Sequence, residues 1–140
     1  MFFMKNSLML ILVLIFTIQL KAQIYFSRDQ LLTTYKDYIV DVEKDIITFE
    51  KDGFTFICYI DEVTDKCLDV YQSKEGWDND SLVNYLSSDP RCKRVSINSW
   101  VYSWVERNGE QINFLIYIFK HDDGYMYPII RYLYLYPRTN

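Results

Sequence analysis

Residues 46–60, IITFEKDGFTFICYI, alternate in character on both sides of Asp52-Gly53. Alternation with period two marks a half-buried strand. Asp-Gly between two such runs is the turn pair of a two-residue hairpin, which needs positive φ at both central positions. That turn sets Lys51 opposite Phe54, Phe49 opposite Phe56 and Ile47 opposite Cys58. Phe49 and Phe56 then share the core face, and Ile46, Thr48, Glu50, Thr55, Ile57 and Tyr59 take the more polar one. A third strand is expected over residues 66–72. A symmetric loop before it would bring Cys67 opposite Cys58, where a disulfide could form.

A helical period flanks this hairpin. Ser27-Arg28-Asp29-Gln30 reads as a capping box, with Phe26 and Leu31 placed as a hydrophobic staple. Leu31, Leu32, Tyr35, Tyr38 and Ile39 fall on one face, and the helix is expected to fade near Val40. A second start repeats the first: Trp77, then Asp78 as N-cap, then Leu82. Leu82, Val83 and Leu86 point inward, and Asp89-Pro90 stops the helix. The run Asp78-Asn79-Asp80 lacks the Gly and the distant Glu of a calcium loop, so capping explains it.

Residues 100–119, WVYSWVERNGEQINFLIYIF, hold a second hairpin signal, Asn108-Gly109. A two-residue turn there pairs Val105 with Ile112, Ser103 with Phe114 and Val101 with Ile116. Val101, Val105, Ile112, Phe114, Ile116 and Ile118 then build the core. Asp123-Gly124 leads into a last strand, with Ile118 opposite Ile129, and Pro128 marks that strand as an edge or a bulge. In this register Trp100, Tyr102, Trp104, Tyr117, Tyr132 and Tyr134 gather on the opposite, amphipathic face. Tyr and Trp dominate contact energy at interfaces, so this face is the candidate binding surface.

These elements predict an α+β domain of two layers, with an antiparallel sheet of about six strands and two helices on one face. The order is α-β-β-β-α-β-β-β. The architecture repeats itself, with the two cap residues, Ser27 and Asp78, 51 positions apart.

The first residues add a compartment. Lys5, an apolar run from Leu8 to about Leu20 and the small residue Ala22 form a secretory signal pattern. The run is short for a membrane span, which needs about 20 apolar residues. Residues 1–22 are expected to be removed, leaving one domain over 23–140, exported to the periplasm or the extracellular space, with no span after cleavage. Loss of Lys5 and Lys21 leaves 13 basic against 19 acidic residues. Such a domain is poorly suited to nucleic acid, which demands clustered Lys and Arg.

Candidate chemistry is sparse. Cys58, Cys67 and Cys92 are an odd number in a compartment that permits disulfides, so one thiol is left over. No CxxC occurs, and a zinc site would need all three Cys on the single His121; no metal or cofactor is expected. No G-x-S-x-G or phosphate-cradling loop is present. The reading is a small non-catalytic binding module with a protein partner, inhibitor-like or immunity-like, and homo-oligomers are compatible with it. The alternatives are a hydrolase using Cys92 and His121, and a structural envelope component.

Overall fold

The computed structural model describes residues 24–119 and 127–137. Helix α1 (Arg28–Thr34) and a 3-10 turn (Lys36–Tyr38) precede four strands: β1 (Ile39–Val42), β2 (Ile46–Lys51), β3 (Phe54–Ile60) and β4 (Cys67–Lys74). Helix α2 (Asn79–Ser88) precedes four more: β5 (Cys92–Ser96), β6 (Ser99–Val105), β7 (Gln111–Phe119) and β8 (Ile129–Tyr134). All eight form one antiparallel sheet in the order β1-β2-β3-β4-β8-β7-β6-β5. Each half is a helix followed by a four-strand meander, and the last strands of the halves pair at the centre.

The α+β class and the repeat are as expected; the strand number is not. Eight strands replace about six because β1 and β5 were not expected. They are the two edge strands, and their side chains are almost all exposed. With neither face covered, an edge strand shows no alternation. The helical layer also differs. The 3-10 turn buries no residue and runs straight into β1 at the rim, so the helical segments do not all lie on one face.

Both helix starts are held as the sequence suggests. Gln30 N donates to Ser27 Oγ at 3.2 Å, and Ser27 N donates back to Gln30 Oε1 at 2.8 Å. Ser81 N donates to Asp78 Oδ2 at 3.1 Å. Such caps satisfy amides that have no partner in the first turn. Leu31, Leu82 and Leu86 enter the core. Tyr35, which caps the end of α1, stacks on Phe49 at 4.2 Å, and Trp100 Nε1 donates to Ser87 of α2 at 3.3 Å.

The first hairpin has the expected register, with Lys51 opposite Phe54 and Ile47 opposite Cys58. Asp52 and Gly53 both have positive φ, as a two-residue turn of this type requires. The second hairpin is offset by one residue. Gly109 N donates to Glu106 O, and Glu106 N donates to Glu110 O. The loop is therefore three residues, Arg107-Asn108-Gly109, with Gly109 alone at positive φ, the turn that carries a glycine bulge. Trp104 now faces Ile112, Tyr102 faces Phe114 and Trp100 faces Ile116. A one-residue slip moves every side chain to the other face.

The last pair is shifted likewise, Ile118 opposite Ile130 and Phe119 opposite Ile129. Pro128 stands just before β8 and removes no ladder donor, so β8 is central, between β4 and β7, and not an edge. Trp100, Tyr102, Trp104, Tyr132, Ile112, Phe114, Ile116 and Ile118 thus form one buried surface with Phe49, Phe56, Cys58 and Val70. Val101 is half-buried and Val105 is 64% exposed.

Candidate functional site

The offset changes which residues can meet a partner. Of the six rings expected on a binding face, Trp100, Tyr102, Trp104 and Tyr132 are buried. Tyr134 is half-buried on the core side, pairing with Phe114. Tyr117 alone lies on the opposite face, which is open in that no helix among the described residues packs on it.

Two rows of side chains cross that open face. One runs Thr48, Ile57, Tyr71, Arg131, Tyr117, Ser99; the other runs Ile46, Tyr59, Asp69, Leu133, Leu115, Val101, Lys93. All are half-buried or exposed. At the centre, the Arg131 guanidinium lies between the rings of Tyr71 and Tyr117, 5.1 and 5.7 Å from their centroids. Its Nε donates to Asp69 Oδ1 at 2.9 Å and Nη2 donates to Asp69 Oδ2 at 2.7 Å. Nη1 donates to Tyr117 Oη at 2.6 Å. Two parallel charge-assisted bonds fix the planar group in one orientation. The hydrogen-bonded Asp69 carboxylate holds the Arg131 pKa above its ordinary value. Around this pair Tyr59 meets Tyr71 edge-on at 5.7 Å, and Tyr71 meets Phe119 at 6.0 Å. The result is a semi-rigid aromatic surface with a neutralised charge pair at its centre.

Tyr71, Asp69 and Arg131 were not among the expected site residues. A lone charge in each of two apolar strands, LDV and IIRYL, was the available signal. Matching them required the pairing of β4 with β8, two strands about sixty residues apart in the chain.

A groove of about 830 Å³ lies elsewhere, between residues 24–26 and the β6–β7 turn. Its two carboxylates are engaged: Glu106 accepts from Trp104 Nε1 at 2.9 Å, and Glu110 accepts from Tyr25 Oη at 3.3 Å. Tyr25 has φ 68, a strained conformation for a bulky residue, and its N donates to Cys67 O. These contacts tie the start of the domain to the hairpin tip.

Cys92 is not set up as a nucleophile. Cys92 is buried, and burial, with Asp89 nearby, pushes its thiol up to about 12. A reactive cysteine needs the opposite shift, toward the thiolate. His121, its expected partner, and the signal segment 1–22 lie outside the described residues. The expected opposition of Cys58 and Cys67 does not occur. A bulge after Tyr59 sets Cys58 opposite Val70 and Cys67 opposite Ile60. Cys58 and Cys67 still meet side chain to side chain in the core, with no bond drawn between them. Among the described residues no three His, Cys, Asp or Glu side chains converge as metal ligands.

Compared with known proteins, the chain matches no family model, no curated protein and no solved structure.

Proposed function

We propose that this is a non-catalytic binding module that captures a protein partner on the open face of its sheet. One observation carries the reading: the face opposite the core presents Tyr59, Tyr71, Tyr117, Leu115 and Leu133 around the fixed Arg131–Asp69 pair. Among the described residues, the ring contacts of these side chains are with one another and with Phe119 on the same face. Rigid aromatics and a preorganised Arg are the residue types on which interfaces concentrate their energy, and little side-chain entropy is left to lose on docking. The mature domain, immobilised and exposed to the envelope fraction, should retain a partner. Tyr59→Ala should lower its recovery about tenfold or more and move the urea midpoint little, because Tyr59 is 38% exposed. Equal recovery with Tyr59→Ala and with Leu115→Asp would rule this face out.

The module acts outside the cytoplasm in this proposal, in the periplasm or beyond. Lys5, the apolar run and Ala22 support it, and no helix among the described residues is long and apolar enough to cross a membrane. Protein recovered from the envelope should begin at Gln23 on N-terminal sequencing. A terminus at Met1 or Phe2 would contradict export with cleavage.

A further inference from the structure

We propose that the chain associates with copies of itself edge to edge, β1 of one copy pairing with β5 of the next. Among the described residues no strand pairs with the outer side of β1 or of β5, and each leaves backbone donors and acceptors toward another strand, save Cys92 N, which donates to Asp89 O, and Ser96 O, which accepts from Arg94 Nε. Natural edges are usually blunted by charged residues and bulges, and these two carry both: a bulge in each edge pair, and Lys93 and Arg94 on β5. Here, among the described residues, nine large apolar side chains are exposed, and five of them lie on or beside the two edges: Tyr38, Val40, Val42, Val95 and Ile97. Val40 and Val95 are 60% and 51% exposed. That concentration points to the edges, not the faces, as the surface left for another strand.

Direction and charge then choose the partner. Eight strands with every neighbour antiparallel leave β1 and β5 running in opposite senses. A second copy turned to continue the twist of the sheet therefore meets the first as an antiparallel pair, with core face beside core face and open face beside open face. Residues 39–43 carry Asp41 and Glu43 and no cation, whereas residues 92–96 carry Lys93 and Arg94 and no acid. Pairing β1 with β1 sets acids together, and pairing β5 with β5 sets cations together; only β1 against β5 is complementary. Asp41 and Lys93 both project on the open face, opposite Thr48 and Val101 of their own sheets. The register that aligns Asp41 with Lys93 also sets Val42 against Cys92. Arg94 turns back over Trp100 and donates to the carbonyls of Ser96 and Ile97, so Lys93 makes the charged contact. An interface between two different edges is heterologous, so the product is an open chain of copies, or a ring where the rotation closes, and not a two-fold dimer.

Sedimentation velocity on the protein as recovered from expressing cells tests this. At low salt the weight-average sedimentation coefficient should keep rising with protein concentration past the dimer value, and at high salt it should fall to that of the monomer. Asp41→Lys and Lys93→Glu should each weaken association about tenfold, since each replaces an attractive cross-strand pair by a repulsive one. An equimolar mixture of the two variants should recover it, because each then supplies the edge the other lacks. Circular dichroism should show both variants folded. A monomer at every concentration, a plateau at the dimer, or association indifferent to both reversals would overturn the proposal.

Discussion

Trp100→Ala should destabilise the protein by about 3–5 kcal/mol, whereas Val105→Ala should change its stability by less than about 0.5 kcal/mol. The indole of Trp100 is fully buried opposite Ile116, with its N–H on Ser87 of α2 and the Arg94 guanidinium 5.5 Å from its ring centroid. Removing it opens a cavity where helix meets sheet, and the surrounding layer can collapse only in part. Val105 ends β6 and is 64% exposed, so truncation removes methyls that already touch water. A two-residue Asn108-Gly109 turn would reverse this order, because it puts Val105 inside and Trp100 outside. Urea midpoints for the two variants decide between the registers. A wild-type midpoint for Trp100→Ala, or a loss above about 1 kcal/mol for Val105→Ala, would reject the three-residue turn.

The two hairpins show where the fold can be read and where it cannot. Asp52-Gly53 and Asn108-Gly109 carry the same local signal, yet one closes a two-residue loop and the other a three-residue loop. In the first, Phe49 and Phe56 are the large apolar residues on one face and the other is the more polar, with Thr48, Glu50 and Thr55, so pattern and turn agree. In the second, both faces are apolar enough to be core: Val101 and Val105 on one, Trp100, Tyr102 and Trp104 on the other. The pattern of β6 cannot arbitrate, and the choice falls to burial across the whole sheet. Packing the larger rings against α2 removes more apolar area from water than packing the valines would. The same reasoning explains the open face. Asp69 and Arg131 are legible as isolated charges within apolar strands, but their meeting depends on the β4–β8 pair that joins the two halves.

The repeat of helix and meander also locates the surfaces. Each half ends on a strand that pairs with the other half and begins its meander on a strand that is left at an edge. The duplicated order therefore gathers Tyr71, Arg131 and Tyr117 at the middle of the open face and leaves β1 and β5 at its margins. A partner on the face and a copy on the edge would not compete for the same residues, since Tyr59, Tyr71 and Leu133 belong to β3, β4 and β8.

Stability should be flat through neutral pH and fall steeply above about pH 9, to global unfolding by about pH 11–12. The side chains responsible lie together under α2 and beside β4. Burial pushes the Cys92 thiol up to about 12 and the Tyr102 phenol up to about 12, where the Arg91 charge works against it. Tyr132, whose Oη donates to buried Gln72 Oε1 at 2.6 Å, and Cys67 are also held well above their ordinary values by burial. In each case the fold holds the neutral form. The contribution is therefore complete below the unfolded-state values, about 8.5 for thiols and about 10 for phenols, and is lost as pH rises from there toward the folded-state values. While a group is ionised in the unfolded chain and neutral in the fold, it lowers stability by about 1.4 kcal/mol per pH unit. Two thiols acting together between pH 9 and 10 give a slope of about 3 kcal/mol per unit, and the phenols steepen it above pH 10. Two such units remove about 6 kcal/mol through the thiols and about 8 kcal/mol with the phenols, enough to unfold a domain in the lower half of the usual range of about 5–15 kcal/mol. Urea titrations at pH 7, 9, 10 and 11 measure the slope. Cys92→Val should remove one ionising group and flatten it by about 1.4 kcal/mol per unit, without altering the phenol contribution above pH 10. A midpoint constant to pH 11 in both proteins would mean that water reaches these groups in the native state, and that the layer under α2 is not the closed core its burial implies.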